Sequence, residues 1–324
     1  LFYLSERGDL NKKVLLFILC CMPLGITQAQ LAGTPGSFSR MGFGARGIGM
    51  GNASTAVTFG ELSSYYNPAV PPFAGQRSAT ATYGFLSLDR RLAFLNYTQS
   101  IRPTAGLSAG IIYAGVHSID GRDSDGEHTA DYSTSEYELF FAFSNRFSDR
   151  LSVGVAAKLY YNDLFQDAVS TTVGVDVGAI YGLTESLTVG AVVQNIDAKY
   201  RWDTSNLYGA SGTATTQPFP LLLRVGLAYQ LPDGRGDAAL DVEHNNQGTT
   251  LIRAGAEVVV TEYLTLRGGV DRMQTTKNDN GVEPSLGFTL QKGLEGLSPA
   301  ISYAYVFEPF STSGMSVLSI SFAF

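Results

Sequence analysis

Cysteine is almost missing: Cys20 and Cys21 are the only two, adjacent and near the N-terminus. The remaining chain therefore has no disulfide framework, no thiolate metal site and no cysteine nucleophile. Histidine is nearly as scarce. His117, His128 and His244 are the only side chains that ordinarily titrate near neutral pH, and none lies in a recognisable nucleophile motif. His128, set among acidic residues, is the one loose candidate for a hydrolytic base, so a non-catalytic protein is expected. Charged residues are 16% of the chain, and the formal net charge of −7 comes without any basic stripe. Nucleic acid is thereby excluded as a partner, and no polybasic membrane-surface patch is visible. No apolar run reaches the length of a transmembrane helix, so any span must be built from strands.

Residues 1–29 read as a cleavable signal peptide. Lys12 and Lys13 form the positive start, Val14 to Met22 the apolar stretch, and Thr27-Gln28-Ala29 the cleavage site before Gln30. A membrane anchor would need about 20 apolar residues. A lipoprotein signal on Cys20 is disfavoured by the bulky Leu19 before it.

Glycine (36), tyrosine (17) and phenylalanine (19) are plentiful, as suits strands with aromatic girdles. From Ser78 onward, segments of about ten residues alternate apolar with small or polar positions, the period of a strand with lipid on one side and a polar lumen on the other. In the last segment Leu318, Ile320, Phe322 and Phe324 share one face, and Val317, Ser319, Ser321 and Ala323 the other. A soluble β-sandwich alternates too, but does not account for a signal peptide, an aromatic terminal strand and tyrosines at strand ends together. Strands are expected near 78–88, 90–101, 106–118, 135–147, 150–162, 168–182 and 186–200. Seven more follow near 217–231, 236–245, 248–261, 263–274, 280–291, 298–308 and 314–324. Short turns such as Ser148-Asp149-Arg150 and Thr184-Glu185-Ser186 follow even-numbered strands, and the longer loops 119–134, 201–216 and 273–280 follow odd-numbered ones. That parity fits short periplasmic turns and long outer loops. The expected fold is all-β: an antiparallel transmembrane barrel of about fourteen strands over 78–324. Phe322 and Phe324 are its candidate signal for barrel-assembly machinery, with outer-membrane lipid around the wall.

Residues 30–77 do not alternate. Gly42, Gly44 and Gly47 spell a dinucleotide-like G-x-G-x-x-G, but no strand precedes them and no βαβ unit follows. Glycine at this density suits backbone packed in a confined space, so the segment is expected as an N-terminal hatch in the lumen. Arg40-Met41-Gly42 with Gly44 to Gly51, followed by Tyr66-Asn67-Pro68-Ala69, resembles the opening of the PorV/PorQ family, within the FadL-like group of outer-membrane barrels. The pair Ile252 to Glu257 and Leu266 to Val270 is similar to that family's late hairpins. The resemblance implies fourteen strands and a hatch containing Asn-Pro-Ala. It also implies a type IX secretion role, with a translocon or secreted cargo as partner, or alternatively uptake of hydrophobic small molecules.

Arg40, Arg46, Asn67 and Pro68 are the candidate hatch residues. By parity Asp241, Glu243, Arg253, Glu257, Arg267, Asp271 and Glu283 face inward, as do Glu136, Glu138, Lys158, Asp176 and Arg224. They form either a ladder of ion pairs holding the plug or a polar gate that orients a ligand. The five acids among the first seven exceed Arg253 and Arg267 by three, leaving negative charge for Arg40 or Arg46 to meet. No cofactor or metal is expected. The acidic run Asp120 to His128 lacks the ligand spacing of an EF-hand, which favours a solvated loop over a calcium site.

Overall fold

The computed structural model describes residues 33–165, 168–205, 209–274, 281–293, 296–309, 311 and 313–324. The expected signal peptide, 1–29, lies outside them. Sixteen strands are formed among these residues: β1 (Ser78–Phe85), β2 (Arg90–Ile101), β3 (Ala105–Arg122), β4 (His128–Arg146), β5 (Leu151–Phe165), β6 (Ala168–Gly182), β7 (Leu187–Ile196) and β8 (Lys199–Asp203). After these come β9 (Ala214–Pro218), β10 (Leu222–Gln230), β11 (Gly236–Asn245), β12 (Thr250–Thr261), β13 (Leu264–Gln274), β14 (Glu283–Gln291), β15 (Ser298–Val306) and β16 (Met315–Ala323). Fourteen of them, all but β8 and β9, close into one antiparallel barrel. The alternation in the sequence is the alternation of the wall. Leu318, Ile320, Phe322 and Phe324 are 41–49% exposed on the outside, while Val317 and Ser319 are 0% and 1% exposed within. On β4, Leu139, Phe141 and Phe143 face out, and Glu138, Phe140 and Ala142 face in. No described helix is long and apolar enough to cross a membrane.

Two expected boundaries are corrected. The segment 186–200 does not stay in the wall: Asn195 and Asp197 adopt φ of +65° and +57° after a register shift between β6 and β7. Asn and Asp tolerate this left-handed geometry better than most residues. The chain therefore leaves the barrel, and β8 pairs with β9 in a separate hairpin, so the next wall strand starts at Leu222 rather than near 217. The second correction concerns 119–134, expected as a loop. β3 and β4 stay paired out to Arg122 and His128 beyond a register shift near Val116. There Asp120 accepts from Arg122 Nε at 2.8 Å, and His128 Nδ1 lies 2.7 Å away, so its carboxylate is engaged within the hairpin.

The hatch fills the lumen. It comprises a 3-10 turn (Phe38–Arg40), a five-residue helix α1 (Ala45–Gly49) and a second 3-10 turn (Pro71–Phe73) that leads into β1. Its backbone sits against glycines of the wall. A side chain at Gly255 or Gly269 would strike the Met50 backbone, at Gly190 that of Thr55, at Gly154 that of Pro68 and at Gly106 that of Pro71. Glycine inside a strand commonly marks such close approach of another backbone. The hatch repeats the device at Gly51, whose φ is +61° and which abuts the Val270 backbone.

Closure depends on the terminal strand. Ala79 of β1 and Pro299 of β15 both pair with Phe322, and Ser78 and Ser298 both pair with Ala323. Deleting Phe322 to Phe324 should therefore strip the partners from Arg77, Ser78 and Ala79 at the start of β1 and open the closing seam at that end, where each unsatisfied backbone group in an apolar medium costs several kcal/mol. The expected result is loss of the heat-modifiable membrane band. A truncated chain that still migrates as a compact barrel would refute this role for the strand.

Candidate functional site

The site is the seam between hatch and wall. Arg46, buried on α1, is its ionic anchor. Nε lies 3.1 Å from both Glu257 oxygens, and Nη2 lies 2.7 Å from Glu257 Oε1 and 3.2 Å from Asp237 Oδ2. Nη1 donates to the carbonyls of Phe59 and Glu61 at 2.9 and 3.1 Å, so one guanidinium ties the hatch to β11 and β12 and also to its own returning limb. Burial alone would lower the Arg46 pKa, but Glu257 and Asp237 raise it above its ordinary value, and the group stays charged.

Arg40, the other expected hatch cation, forms no ion pair with the acidic set among the described residues. It folds back onto its own segment, donating to Pro35 O at 2.9 Å and Thr34 Oγ1 at 2.6 Å. The expected surplus of three acids is met largely by other means. Arg224 of β10 lies 2.5 Å from Glu243, which Arg253 also reaches at 3.2 Å. Arg253 Nε lies 2.7 Å from Asp271, and Arg267 Nε lies 3.3 Å from Glu257. Glu283 pairs with Arg272 at 3.0 Å, nearer the long-loop end. The hatch contributes neutral donors for the rest. The backbone N–H groups of Ser54 and Thr55 and the Thr55 hydroxyl all donate to Asp241 Oδ2, at 3.0, 3.0 and 2.7 Å. Asn52 Nδ2 donates to Asp271 at 2.8 Å. On the opposite wall Lys158 lies 3.0 Å from Glu138 and 2.8 Å from Asp176, while Glu136 accepts from Asn162 at 2.6 Å.

Asn67 pins the returning limb. Its Nδ2 donates to Thr55 O at 2.9 Å and reaches the β6 carbonyl of Ala179 at 3.2 Å, and its Oδ1 accepts from the Ala69 N–H at 3.0 Å. Pro68 follows with its carbonyl against Gly154. Above these, Tyr65 donates to Ser39 O and accepts from the Gly42 N–H. Burial pushes its phenol up to about 12, so it remains a protonated donor.

Several of these groups were not among those the sequence pointed to. Asp237 has the same parity as Asp241 and Glu243, so the signal for it was present. The wall glycines lay at inward positions of recognisable strands. For Asn52, Thr55 and Tyr65 no signal existed, because they act from irregular backbone.

The seam separates two vestibules. At the long-loop end a cavity of about 650 Å³ is floored by Phe38, Met41, Leu86, Leu92 and Met315 and rimmed by Arg90, Glu136, Arg272, Glu283 and Glu308. At the short-turn end a cavity of about 700 Å³ is polar, lined by Arg46, Glu61, Arg267, Thr289, Gln291 and Ser302 among others. Between them Phe43 packs on Tyr65 and on Phe94, each with ring centroids 4.5 Å apart. Below these rings lies a void of only about 30 Å³. Among the described residues no cluster of three metal-ligating side chains exists.

No protein-family model matches the sequence, and no curated protein matches it. Solved structures do match in fold. The CymD monoaromatic hydrocarbon channel superposes with a TM-score of 0.64 at 16% identity, covering 89% of this chain and 99% of that one. A Pseudomonas aeruginosa FadL homologue gives 0.62 at 13% identity, covering 86% and 97%. The Ralstonia pickettii toluene transporter TbuX gives 0.59 at 16% identity, covering 87% and 97%. The fold is that of FadL-like outer-membrane channels.

Proposed function

We propose that this barrel is a non-catalytic outer-membrane channel that admits hydrophobic small molecules. The observation that carries the reading is the apolar patch of the outer vestibule, where Phe38, Met41, Leu86, Leu92 and Met315 lie together beside its charged residues. An apolar solute that buries roughly 150 Å² there gains about 4 kcal/mol. Beneath it, among the described residues, the hatch encloses a void of only about 30 Å³. The similarity in fold to the monoaromatic hydrocarbon channel, the toluene transporter and the FadL homologue supports the same reading.

The test is uptake of radiolabelled toluene against glucose in proteoliposomes holding the full-length protein. Toluene entry above the protein-free rate, with no gain for glucose, is expected. Equal acceleration of both, or of neither, contradicts the reading.

The role in type IX secretion rests on the resemblance of Arg40 to Gly51 and Tyr66 to Ala69. Co-purification with translocon components, together with no effect on toluene entry, would favour it.

A further inference from the structure

We propose that the outer vestibule selects apolar solutes that carry an ammonium group, with Glu136 as the residue that recognises the charge. This rests on the channel reading above and names the class of solute that its mouth prefers.

Three carboxylates line the outer vestibule: Glu136, Glu283 and Glu308. Two of them are paired, Glu283 with Arg272 at 3.0 Å and Glu308 with Arg90 at 3.7 Å. Glu136 forms no ion pair among the described residues. Its one hydrogen bond there comes from Asn162 Nδ2 to Oε1 at 2.6 Å. That uses one of about four acceptor positions on a carboxylate. Arg40 acts on Glu136 electrostatically from the hatch, but its guanidinium donates to Pro35 O and Thr34 Oγ1. Arg91, also at the rim, has the outward parity of Leu95 rather than the inward parity of Leu92. A half-buried carboxylate held only by a neutral amide gains from a cation brought to it.

The fold leaves this carboxylate open to the vestibule. Ala114, Glu136, Asn162 and Ser170 are successive cross-strand neighbours on the inner face of β3 to β6. The far end of this row is covered by β8, where the Arg201 N–H donates to Ser170 Oγ at 2.9 Å. Asn162 and Ser170 are accordingly buried. The near end is apolar: Ala114 packs against the cluster that holds Phe38, Leu92 and Met315, and all four line the vestibule. Glu136 thus stands where a polar end meets an apolar floor. A solute whose hydrocarbon rests on that floor can direct a terminal ammonium to Glu136. A carboxylate-headed solute of the same shape meets like charge, and a plain hydrocarbon leaves Glu136 without a counter-ion.

The experiment compares three probes of similar shape: phenethylamine, 3-phenylpropionate and ethylbenzene. Equilibrium binding to the full-length protein in nanodiscs is measured near neutral pH, for the unaltered chain and for Glu136→Gln. The same lipid in both preparations cancels partition into the bilayer. The unaltered protein should bind phenethylamine at least about tenfold more tightly than 3-phenylpropionate. Glu136→Gln keeps an acceptor for Asn162 and should lose about tenfold or more in amine binding, with ethylbenzene changed by less than about twofold. Equal binding of amine and carboxylate by the unaltered protein overturns the proposal without recourse to any variant. A Glu136→Gln protein that holds the amine as tightly as before does so too. Toluene entry into proteoliposomes keeps this reading apart from the one it rests on. Amine preference in a protein that admits no toluene would support the site and overturn the channel. Toluene entry without amine preference overturns the site alone.

Discussion

Arg46→Ala should open the cell envelope to small polar solutes while leaving the barrel folded. The guanidinium is held by Glu257 and Asp237 across a seam where the side chains are 10%, 11% and 2% exposed. Its removal leaves two carboxylates facing Arg267 alone and frees the carbonyls of Phe59 and Glu61. Breaking one partner of a buried pair costs about 3–5 kcal/mol. Even if half of that falls on hatch closure rather than on the whole fold, the open population rises by roughly one to two orders of magnitude. Sensitivity to antibiotics normally excluded by the outer membrane should increase, with the heat-modifiable band unchanged. Arg46→Lys should fall between, because an ammonium cannot span both acids and both carbonyls. The exposed pair Arg122–Asp120, 59% and 46% accessible, is the control. Arg122→Ala should change neither leak nor stability by more than about 1 kcal/mol.

Gly255→Leu should have an effect at least as large by a different route. Any Cβ there would overlap the Met50 carbonyl, and backbone on both sides leaves little room for adjustment. Overpacking a close contact ordinarily costs about 1–3 kcal/mol, and backbone against backbone lies at the upper end or beyond. Strand β12 keeps its hydrogen bonds, so the wall should still close while the hatch fails to seat. Accelerated proteolysis of residues 33–75 in assembled protein, together with antibiotic sensitivity, is the expected pattern. Leucine at Gly234, where nothing lies within 4 Å, should produce no such proteolysis, although its φ of +66° adds local turn strain. A Gly255→Leu protein as protease-resistant as the unaltered one would contradict the seating account.

The wall was legible in the sequence because its outer face is apolar along most strands. Leu318, Ile320 and Phe322 of β16 and Phe324 just after it all lie on that outer face, so the period-2 pattern is unbroken there. The departure of the chain after β7 was hidden for the same reason: Tyr200 and Trp202 continue the alternation, although they belong to a hairpin outside the wall. Parity put the charges from Asp241 to Glu283 on one face, and Asp241, Glu243, Arg253, Glu257, Arg267 and Asp271 are buried. It could not decide which hatch arginine meets them. Arg40 and Arg46 lie in one glycine-rich run, and the chain bends between them at Gly42 and Gly44, with φ of +94° and +72°, so that Arg46 faces β11 and β12 while Arg40 closes on Thr34. The seam was otherwise unreadable, since Asn52, Thr55 and Tyr65 bind through single hydroxyls, amides and backbone groups that follow no period.

The conductance of planar bilayers tests most directly the claim that the hatch closes the lumen. The unaltered protein should give a silent baseline in salt, and a variant lacking residues 30–75 should give steady open steps from a barrel that still shows heat-modifiable migration. Ion conductance by the unaltered protein equal to that of the deleted one would contradict the account, as would silence from the deleted barrel.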